Sequence, residues 1–359
     1  MLGNERKHAT SQHTPSPRQK VAPEDSVPLI VPLDSPPGIP AFVPATGLAN
    51  GHLQTLFGSL FPGRTRFPAT IQRTLRVADD DYIVLHDDQP DAWKRGDNTV
   101  LLLHGLSGCY GSGYMMRTAR NLNARRVRTF RMDHRGCGAG HGLAESPYHA
   151  GRTDDLHRAI ASVERLCPGS PISVAGFSIS GNLLLRYLGD ETYNHTLNLF
   201  RAVAVCPPID LSHSVQNLSN TRAGQRYDWH FTRRLINQIA DGPQWREDAP
   251  LAKAKRLPRR LYDFDDLFTA PASGFESADD YYSHASAKGY ISSIRTHTTI
   301  LAAQDDPMVA PEPFLDLALP PYVTLYLTEH GGHLGYIGRL GTDPDRRWMD
   351  WRVTDWLLD

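Results

Sequence analysis

A short apolar run that changes into a helical pattern within a few residues constrains this chain more than any other feature. The run begins near Pro171, and the helical pattern ends near Leu188. Between them, the segment from Gly176 to Gly181 must turn a strand into a helix. Ser178 lies at the tip of that turn. Strand, tight turn and helix in this order predict one unit of a parallel α/β sheet.

A serine at such a turn is well placed to act as a nucleophile. The sharp elbow strains the backbone and holds the hydroxyl clear of the sheet. The helix N-terminus that follows presents unpaired N–H groups, which favour developing negative charge. Gly176 supplies the small residue required two positions before Ser178, but Ser180 stands where the usual Gly-x-Ser-x-Gly elbow has its second glycine. Serine is small enough for that place, so we expect the turn to form.

Composition and charge argue against several classes of protein. The chain has 359 residues, of which 40% are hydrophobic, and this is enough for a substantial core. Its net charge of −1 lacks the basic excess that is typical of nucleic-acid binding. The apolar runs are short and the N-terminus is polar, so we expect no membrane-spanning helix, no secretory segment and a cytoplasmic location.

Neither the cysteines nor a glycine cluster points to a cofactor. Cys109, Cys137, Cys167 and Cys206 are widely scattered, and their spacing fits neither a zinc site nor a disulfide framework. The glycines between residues 136 and 140 do not match a dinucleotide-binding loop, because no helix-opening third glycine follows them. We therefore expect free thiols, no metal and no cofactor.

The chain divides into an arm and one large domain. Residues 1–40 are rich in Pro, Ser, Gln and charge, which predicts a disordered or extended arm. From residue 41 to 359, strands alternate with helices, and this alternation predicts a mostly parallel, doubly wound α/β sheet. A hairpin between residues 71 and 86 is predicted at a sheet edge. From about residue 207 to 293 the alternation breaks for too long to be a connection, so we predict an inserted helical lid.

Two later loops supply partners for a serine nucleophile, which needs a base, an orienting carboxylate and oxyanion donors. In open parallel sheets such groups lie at the carboxyl ends of strands. Asp305 and Asp306 follow one predicted strand, and His330 and His333 follow the next. The order Ser, Asp, His is that of the α/β-hydrolases.

Within each pair of candidates one residue is preferred. His333 is favoured as the base over His330, because flanking glycines free its backbone to return toward Ser178. Asp306 is favoured as the orienting acid by its Asp-x-x-Val spacing, with Asp305 as the alternative. For the oxyanion, we expect one donor from the N–H of Leu106 and the other from the N–H of Ile179.

The predicted lid carries apolar residues near basic ones. The apolar residues are Trp229, Phe231, Leu235, Ile236 and Ile239, and the nearby basic ones include Arg233 and Arg234. One interpretation is an acyl pocket with a basic rim that contacts anionic lipid surfaces. The other is an ordinary solvated face.

Many ordered motifs of the chain resemble one family. They are Asn50–Leu56, His104–Gly108, Arg135–Gly138, Tyr148–Gly151, Gly176–Ser178, Tyr281–Tyr282 with Ser286, Asp305–Pro307 and His330–Gly335. With them the chain resembles the YheT-like branch of the α/β-hydrolases, which includes bacterial esterases, yeast ethyl-ester synthase/esterases and animal acylglycerol and phospholipid lipases. The resemblance implies an α/β-hydrolase fold with Ser178 as nucleophile, Asp306 as acid and His333 as base. Residues 1–40 lie outside it.

These observations lead to one main hypothesis and two alternatives. The main one is a serine hydrolase that cleaves carboxylic esters with a short or medium acyl chain, or an acylglycerol-like lipid, through an acyl-enzyme on Ser178. The first alternative is acyl transfer to an alcohol through the same acyl-enzyme. The second is an inactive hydrolase fold that serves as a binding protein, since fold does not imply function.

Overall fold

The structure is a computed structural model that describes residues 30–31, 40–60, 70–193, 198–240, 242–245, 247 and 250–359. Apart from residues 30–31 and 40, the arm predicted at residues 1–40 lies outside the described residues. Within these ranges, none of the helices combines the length and the hydropathy that crossing a bilayer requires.

The described strands form one nine-stranded sheet. In chain order they are β1 (Ile30–Val31), β2 (Ile71–Arg76), β3 (Tyr82–Asp88), β4 (Thr99–Leu103), β5 (Arg128–Asp133), β6 (Ile172–Phe177), β7 (Leu199–Val205), β8 (His297–Ala303) and β9 (Val323–Thr328). Across the sheet their order is β1-β9-β8-β7-β6-β4-β5-β3-β2. Strand β3 runs antiparallel to both β2 and β5, and the other neighbours are parallel.

Helices cover the two faces of this sheet. The described α-helices are α1 (Gly51–Leu60), α2 (Gly113–Ala124), α3 (Thr153–Leu166), α4 (Ile179–Gly189), α5 (Leu211–Asn220), α6 (Arg222–Ala240), α7 (Pro250–Lys253), α8 (Leu261–Phe264), α9 (Ala270–Ala272), α10 (Ala278–Ala285), α11 (Glu312–Leu315) and α12 (Trp348–Trp356). Short 3₁₀ turns span Gly138–Gly140 and Lys288–Ser293, and a π-helical turn spans Asp265–Thr269.

The central strands are apolar along their whole length because both of their faces are covered. All five residues of β4 are buried. Leu101 and Leu103 face one core, which includes residues of α3 and α4, whereas Val100 and Leu102 face the other, which includes residues of α2 and α12. This alternation is the period of two expected of a strand buried between helix layers.

The predicted fold class is confirmed: the sheet is mostly parallel and doubly wound. The hairpin predicted at residues 71–86 is the antiparallel pair β2–β3, and β2 is the edge strand.

The segment predicted as an insertion is helical. Helices α5 to α10 lie between β7 and β8, so the chain leaves the sheet at Val205 and returns to it at His297. That these helices act as a lid, and that the chain divides as proposed, stay predictions.

Candidate active site

The predicted elbow forms between β6 and α4. Strand β6 ends at Phe177 and α4 begins at Ile179, so Ser178 alone makes the turn, with φ 54° and ψ −122°. A left-handed φ is uncommon for a side chain larger than glycine. A Cβ on Gly176 would collide with the carbonyl oxygen of Ser180, so the approach of the turn to the strand requires glycine there.

The structure brings Ser178, His333 and Asp306 together. The Oγ of Ser178 lies 2.9 Å from Nε2 of His333, and Nδ1 of His333 lies 2.8 Å from Oδ2 of Asp306. The other oxygen of Asp306 accepts the backbone N–H groups of Met308, at 2.8 Å, and Val309, at 3.0 Å. These donors hold the carboxylate toward the ring. The arrangement fits a neutral imidazole that donates from Nδ1 and accepts the serine proton at Nε2.

The two alternative residues are engaged elsewhere. Oδ1 of Asp305 accepts the backbone N–H of Gly332 at 2.8 Å, and Oδ2 lies 3.3 Å from Nδ1 of His330. Asp305 therefore stabilises the loop that carries His333, whereas the His333 imidazole is hydrogen-bonded to Asp306. The adjacent carboxylates point to different groups, so the geometry favours Asp306 over Asp305.

The two predicted oxyanion donors flank Ser178. A Cβ on Gly105 would lie 3.1 Å from the Cβ of Ser178, so the loop after β4 passes beside the serine. In this loop the N–H groups on either side of Leu106 are engaged, since Gly105 donates to the hydroxyl of Tyr114 and Ser107 to that of Tyr148, each at 2.9 Å. Within the described part of the chain the N–H of Leu106 has no acceptor.

The second donor belongs to the helix start. Ile179 is the first residue of α4, where an N–H has no partner inside the helix. Both predicted donors are thus available for an incoming oxygen.

Ser180 has a role that the sequence did not reveal. Its hydroxyl donates to the carbonyl oxygen of His104, and Nε2 of His134 donates to Ser180 Oγ at 2.8 Å. The backbone N–H of His134 donates in turn to Nε2 of His104 at 3.3 Å. Burial lowers the pKa of both imidazoles, so both are neutral. Ser180 in place of glycine therefore links the elbow to the loop that carries Leu106.

Helix α1 supports the loop that carries His333. Oγ1 of Thr55 accepts the backbone N–H of His333 at 2.9 Å and donates to the carbonyl of Gly51 at 2.7 Å. Oε1 of Gln54 accepts the N–H of Ile337 at 2.7 Å. Added Cβ atoms on Gly332 and on the glycine at position 335 would collide with the α1 backbone. Sequence analysis missed this role, although the segment from Asn50 to Leu56 was one of the motifs of the resemblance.

An apolar pocket begins at the two predicted oxyanion donors and extends under the inserted helices. Leu106 and Ile179 line it, together with Leu211, Val215, Leu235, Ile239, Leu261, Phe264 and Phe268. Its volume is about 60 Å³. Of the apolar residues predicted to form an acyl pocket, Leu235 and Ile239 do line it. Trp229, Phe231 and Ile236 do not, and Trp229 instead faces solvent on the outer side of α6.

A buried carboxyl, which sequence analysis did not identify, stands at the wall of this pocket. Asp265 lies in the π-helical turn, and its oxygens accept the hydroxyls of Thr269 and Tyr282, each at 2.7 Å. Burial raises its pKa to about 7. In the sequence it is one of three acidic residues between positions 263 and 266, and only the tertiary structure distinguishes the buried one.

Two of the three residues that the structure brings together, Asp306 and His333, also belong to a set of potential metal ligands. Among the described residues, Cys206, Asp306 and His333 place one ligand atom each within 4.8 Å of the others. Burial, and after it the charge of Asp306, raise the pKa of the Cys206 thiol well above its usual value. A metal needs the thiolate, and Nδ1 of His333 is already hydrogen-bonded to Asp306. These residues do not suit a metal.

Residues 100–347 match the alpha/beta hydrolase family. This chain belongs to that family. Among its relatives is "Putative esterase YheT" of Escherichia coli, which is 31% identical over 88% of this chain and 92% of its own length. The α/β hydrolase described here is therefore a YheT-type member, as the motifs indicated, and a carboxylic ester hydrolase.

More distant relatives include the monoacylglycerol lipase of Saccharomyces cerevisiae, 28% identical over 69% of this chain, and phospholipase ABHD3 of Mus musculus, 26% identical over 67%. The chain spans just over half of each, 56% and 58%. The Pyrococcus furiosus esterase Pf2001 has the same fold, with a TM-score of 0.53 and 19% identity over 80% of this chain and 90% of that one.

We expect Asp265→Asn to change how stability depends on pH. The pKa of this carboxyl is about 7 in the folded chain, whereas the ordinary value for an aspartate, which we take for the unfolded chain, is 3.8. Folding therefore favours the protonated form. This stabilisation is complete below about pH 4 and is lost as the pH rises through 7. From pH 4 to pH 8, the unfolding free energy of the wild type should fall by up to about 4 kcal/mol relative to the variant.

Urea unfolding of both proteins across this pH range measures the difference. The exposed Asp263 provides the control substitution, Asp263→Asn, which should keep the pH dependence of the wild type. Parallel curves for wild type and Asp265→Asn would contradict the expectation.

We expect Thr55→Val to impair ester hydrolysis through the position of His333. Valine keeps the shape of threonine but removes the acceptor of the His333 N–H, which leaves the loop without that anchor. Small displacements of a reacting group slow the chemical step strongly, so kcat should fall by about 10-fold to 100-fold with little change in KM. Thr55→Ser retains the hydroxyl and should recover most of the activity. A kcat for Thr55→Val equal to that of wild type would exclude this positioning role.

Proposed function

We propose that this ester hydrolase works through an acyl-enzyme on Ser178, with His333 as base and Asp306 as orienting acid. The observation that supports the proposal is the chain of two hydrogen bonds, 2.9 Å and 2.8 Å, that joins the three side chains at a strained elbow. Acid, base and nucleophile in this geometry are what ester cleavage by a serine requires.

In the proposed reaction, Nε2 of His333 takes the proton of Ser178 as Oγ bonds to the ester carbonyl carbon. The carbonyl π-electrons move to oxygen, and the N–H groups of Leu106 and Ile179 hold the resulting oxyanion. Collapse of this intermediate breaks the bond to the alcohol, which receives its proton from His333. Water then attacks the acyl-enzyme by the same steps and releases the acid. Asp306 keeps the proton of His333 on Nδ1 throughout.

The size of the pocket supports a short acyl chain. It begins at the two oxyanion donors, where the acyl group of an acyl-enzyme would enter, and its walls are almost wholly apolar. A cavity of about 60 Å³ has room for a short acyl chain and not for a long one. We propose esters with acyl chains of about four to six carbons as substrates, with the inserted helices covering the chain as a lid.

The lid also carries the features proposed for contact with lipid surfaces. Trp229 is 47% exposed, and the guanidinium of Arg233 lies over its ring, 5.6 Å from the centroid. An exposed aromatic beside a cation is typical of residues at a membrane interface. We propose lipid esters as substrates on this basis, with peripheral contact through α6.

The experiment that tests the nucleophile is labelling with a fluorophosphonate, followed by peptide mapping. We expect label on Ser178 in the wild type and none in Ser178→Ala, because only an activated serine reacts. Ser283, on an exposed position of α10, gives the control variant Ser283→Ala, which should label like the wild type. Label elsewhere, or none on folded wild-type protein, would refute the assignment.

A chain-length series tests the pocket. We expect kcat/KM for p-nitrophenyl esters to peak at about four to six acyl carbons. Leu235→Ala should shift the peak to longer chains by about two carbons, because it lengthens the pocket. Leu218 is as buried as Leu235, 6% exposed in each case, but does not line the pocket. Leu218→Ala should therefore leave the peak in place, and an unshifted peak in Leu235→Ala would contradict the pocket's role.

A further inference from the structure

Helix α1 is amphipathic in the opposite sense to a normal surface helix. Its buried side consists of small or polar residues: Gly51, Gln54 and Thr55. Its apolar residues face outward, with Leu53 38%, Leu56 45%, Phe57 38% and Leu60 67% exposed. Spacings of three and four residues place these side chains on one side of the helix. The hydrogen bonds by which α1 holds the loop of His333 come from its buried side, from Thr55 and Gln54.

The outer side of α6 carries positive charge. Arg222, Arg226, Trp229 and Arg233 are exposed, and their spacing of four, three and four residues places them on one face. The only acidic residue of α6, Asp228, is buried. Helix α1 contains no acidic residue at all. The chain as a whole has a net charge of −1, so this face is a local basic region.

The two helices are in contact at the border of these faces. The rings of His52 on α1 and Tyr227 on α6 stack with 5.9 Å between centroids, and His52 Nδ1 lies 3.2 Å from the Tyr227 hydroxyl. Leu56 lies one turn from His52, and His230 lies one turn from Tyr227. The apolar stripe of α1 therefore lies beside the exposed side of α6, and we call the stripe and the basic face together the docking face.

The docking face also adjoins the active site. On the inner side of α1, Thr55 holds the backbone of His333. On α6, Nη2 of Arg234 donates to the carbonyl of Ser107 at 2.9 Å, one residue after Leu106. The two helices that carry the docking face therefore each contact a loop of the candidate active site.

We propose that the docking face binds an anionic lipid surface, with the leucines of α1 inserted among the acyl chains and the arginines of α6 at the headgroups. Apolar side chains beside a basic, aromatic rim are what such a surface recognises. The charge disfavours a second copy of this chain. A symmetric pair brings the same face of two chains together, and the arginines of α6 would then repel one another.

Vesicle flotation of the full chain tests the proposal. It uses the Ser178→Ala protein, so binding is measured without hydrolysis. The proposal extends the peripheral contact through α6 proposed above, and its outcome does not depend on the acyl-enzyme chemistry. The test variant is Leu53→Ser, Leu56→Ser and Leu60→Ser combined. The matched control combines Leu257→Ser, Leu315→Ser and Leu340→Ser, which are 54%, 56% and 58% exposed and lie outside α1 and α6. Equal thermal midpoints for all three proteins establish that they are folded.

We expect the parent and the control to bind vesicles of phosphatidylglycerol and phosphatidylcholine, and the α1 variant to partition at least about tenfold less. Replacing Arg226 and Arg233 by Gln should remove the preference for phosphatidylglycerol over pure phosphatidylcholine, as should 1 M salt, which screens charge. Equal partitioning of the two leucine variants would overturn the proposal. So would a parent that binds no vesicles and self-associates through α1, as judged by a lower mass of the α1 variant in sedimentation.

Discussion

The arrangement of the site depends on the left-handed backbone of Ser178, which has a φ of 54°. The surrounding structure holds the residue in this conformation. Such a conformation costs on the order of 1–3 kcal/mol in a residue other than glycine, and it persists only where neighbours hold it. The backbone N–H of Ser178 donates to the carbonyl of Val205 at 2.8 Å, and the absence of a side chain at Gly176 lets the chain reverse against the strand. The strain fixes the hydroxyl where a base can reach it, before any substrate arrives.

Buried polar contacts hold the elbow of Ser178 against the loop that carries Leu106. Ser180 ties the elbow to the carbonyl of His104, and the two buried imidazoles, His104 and His134, donate and accept in one consistent arrangement. Protonation of His104 at Nε2 would remove the acceptor of the His134 N–H, and the lowered pKa of His104 prevents this near neutral pH. Fully satisfied networks of this kind are rigid, and rigidity is what an oxyanion site needs, because its donors must not reorganise during the reaction.

Local patterns predicted most of the fold, and they selected the three side chains that the structure brings together, because strands, elbows and the loops after strands are recognisable in the sequence. The choice between Asp305 and Asp306 needed coordinates, since neighbouring carboxylates differ only in direction. The role of α1 was invisible for a physical reason: its buried side is polar and its exposed side apolar, so the usual relation between hydropathy and burial is reversed. Asp265 was missed because its burial comes from tertiary packing and not from its neighbours in sequence.

The glycine contacts of α1 carry a consequence for engineering. Because its inner side meets the loop of His333 without room for one extra carbon, that side admits almost no sequence variation. The exposed leucines of the outer side, Leu53, Leu56 and Leu60, carry no polar side-chain atom, so their side chains form no hydrogen bond to this loop. A single ten-residue helix thus has one side that fits tightly against the loop of His333 and one side that faces solvent, so substitutions that alter the proposed adsorption to lipid surfaces need not disturb the turnover of dissolved esters.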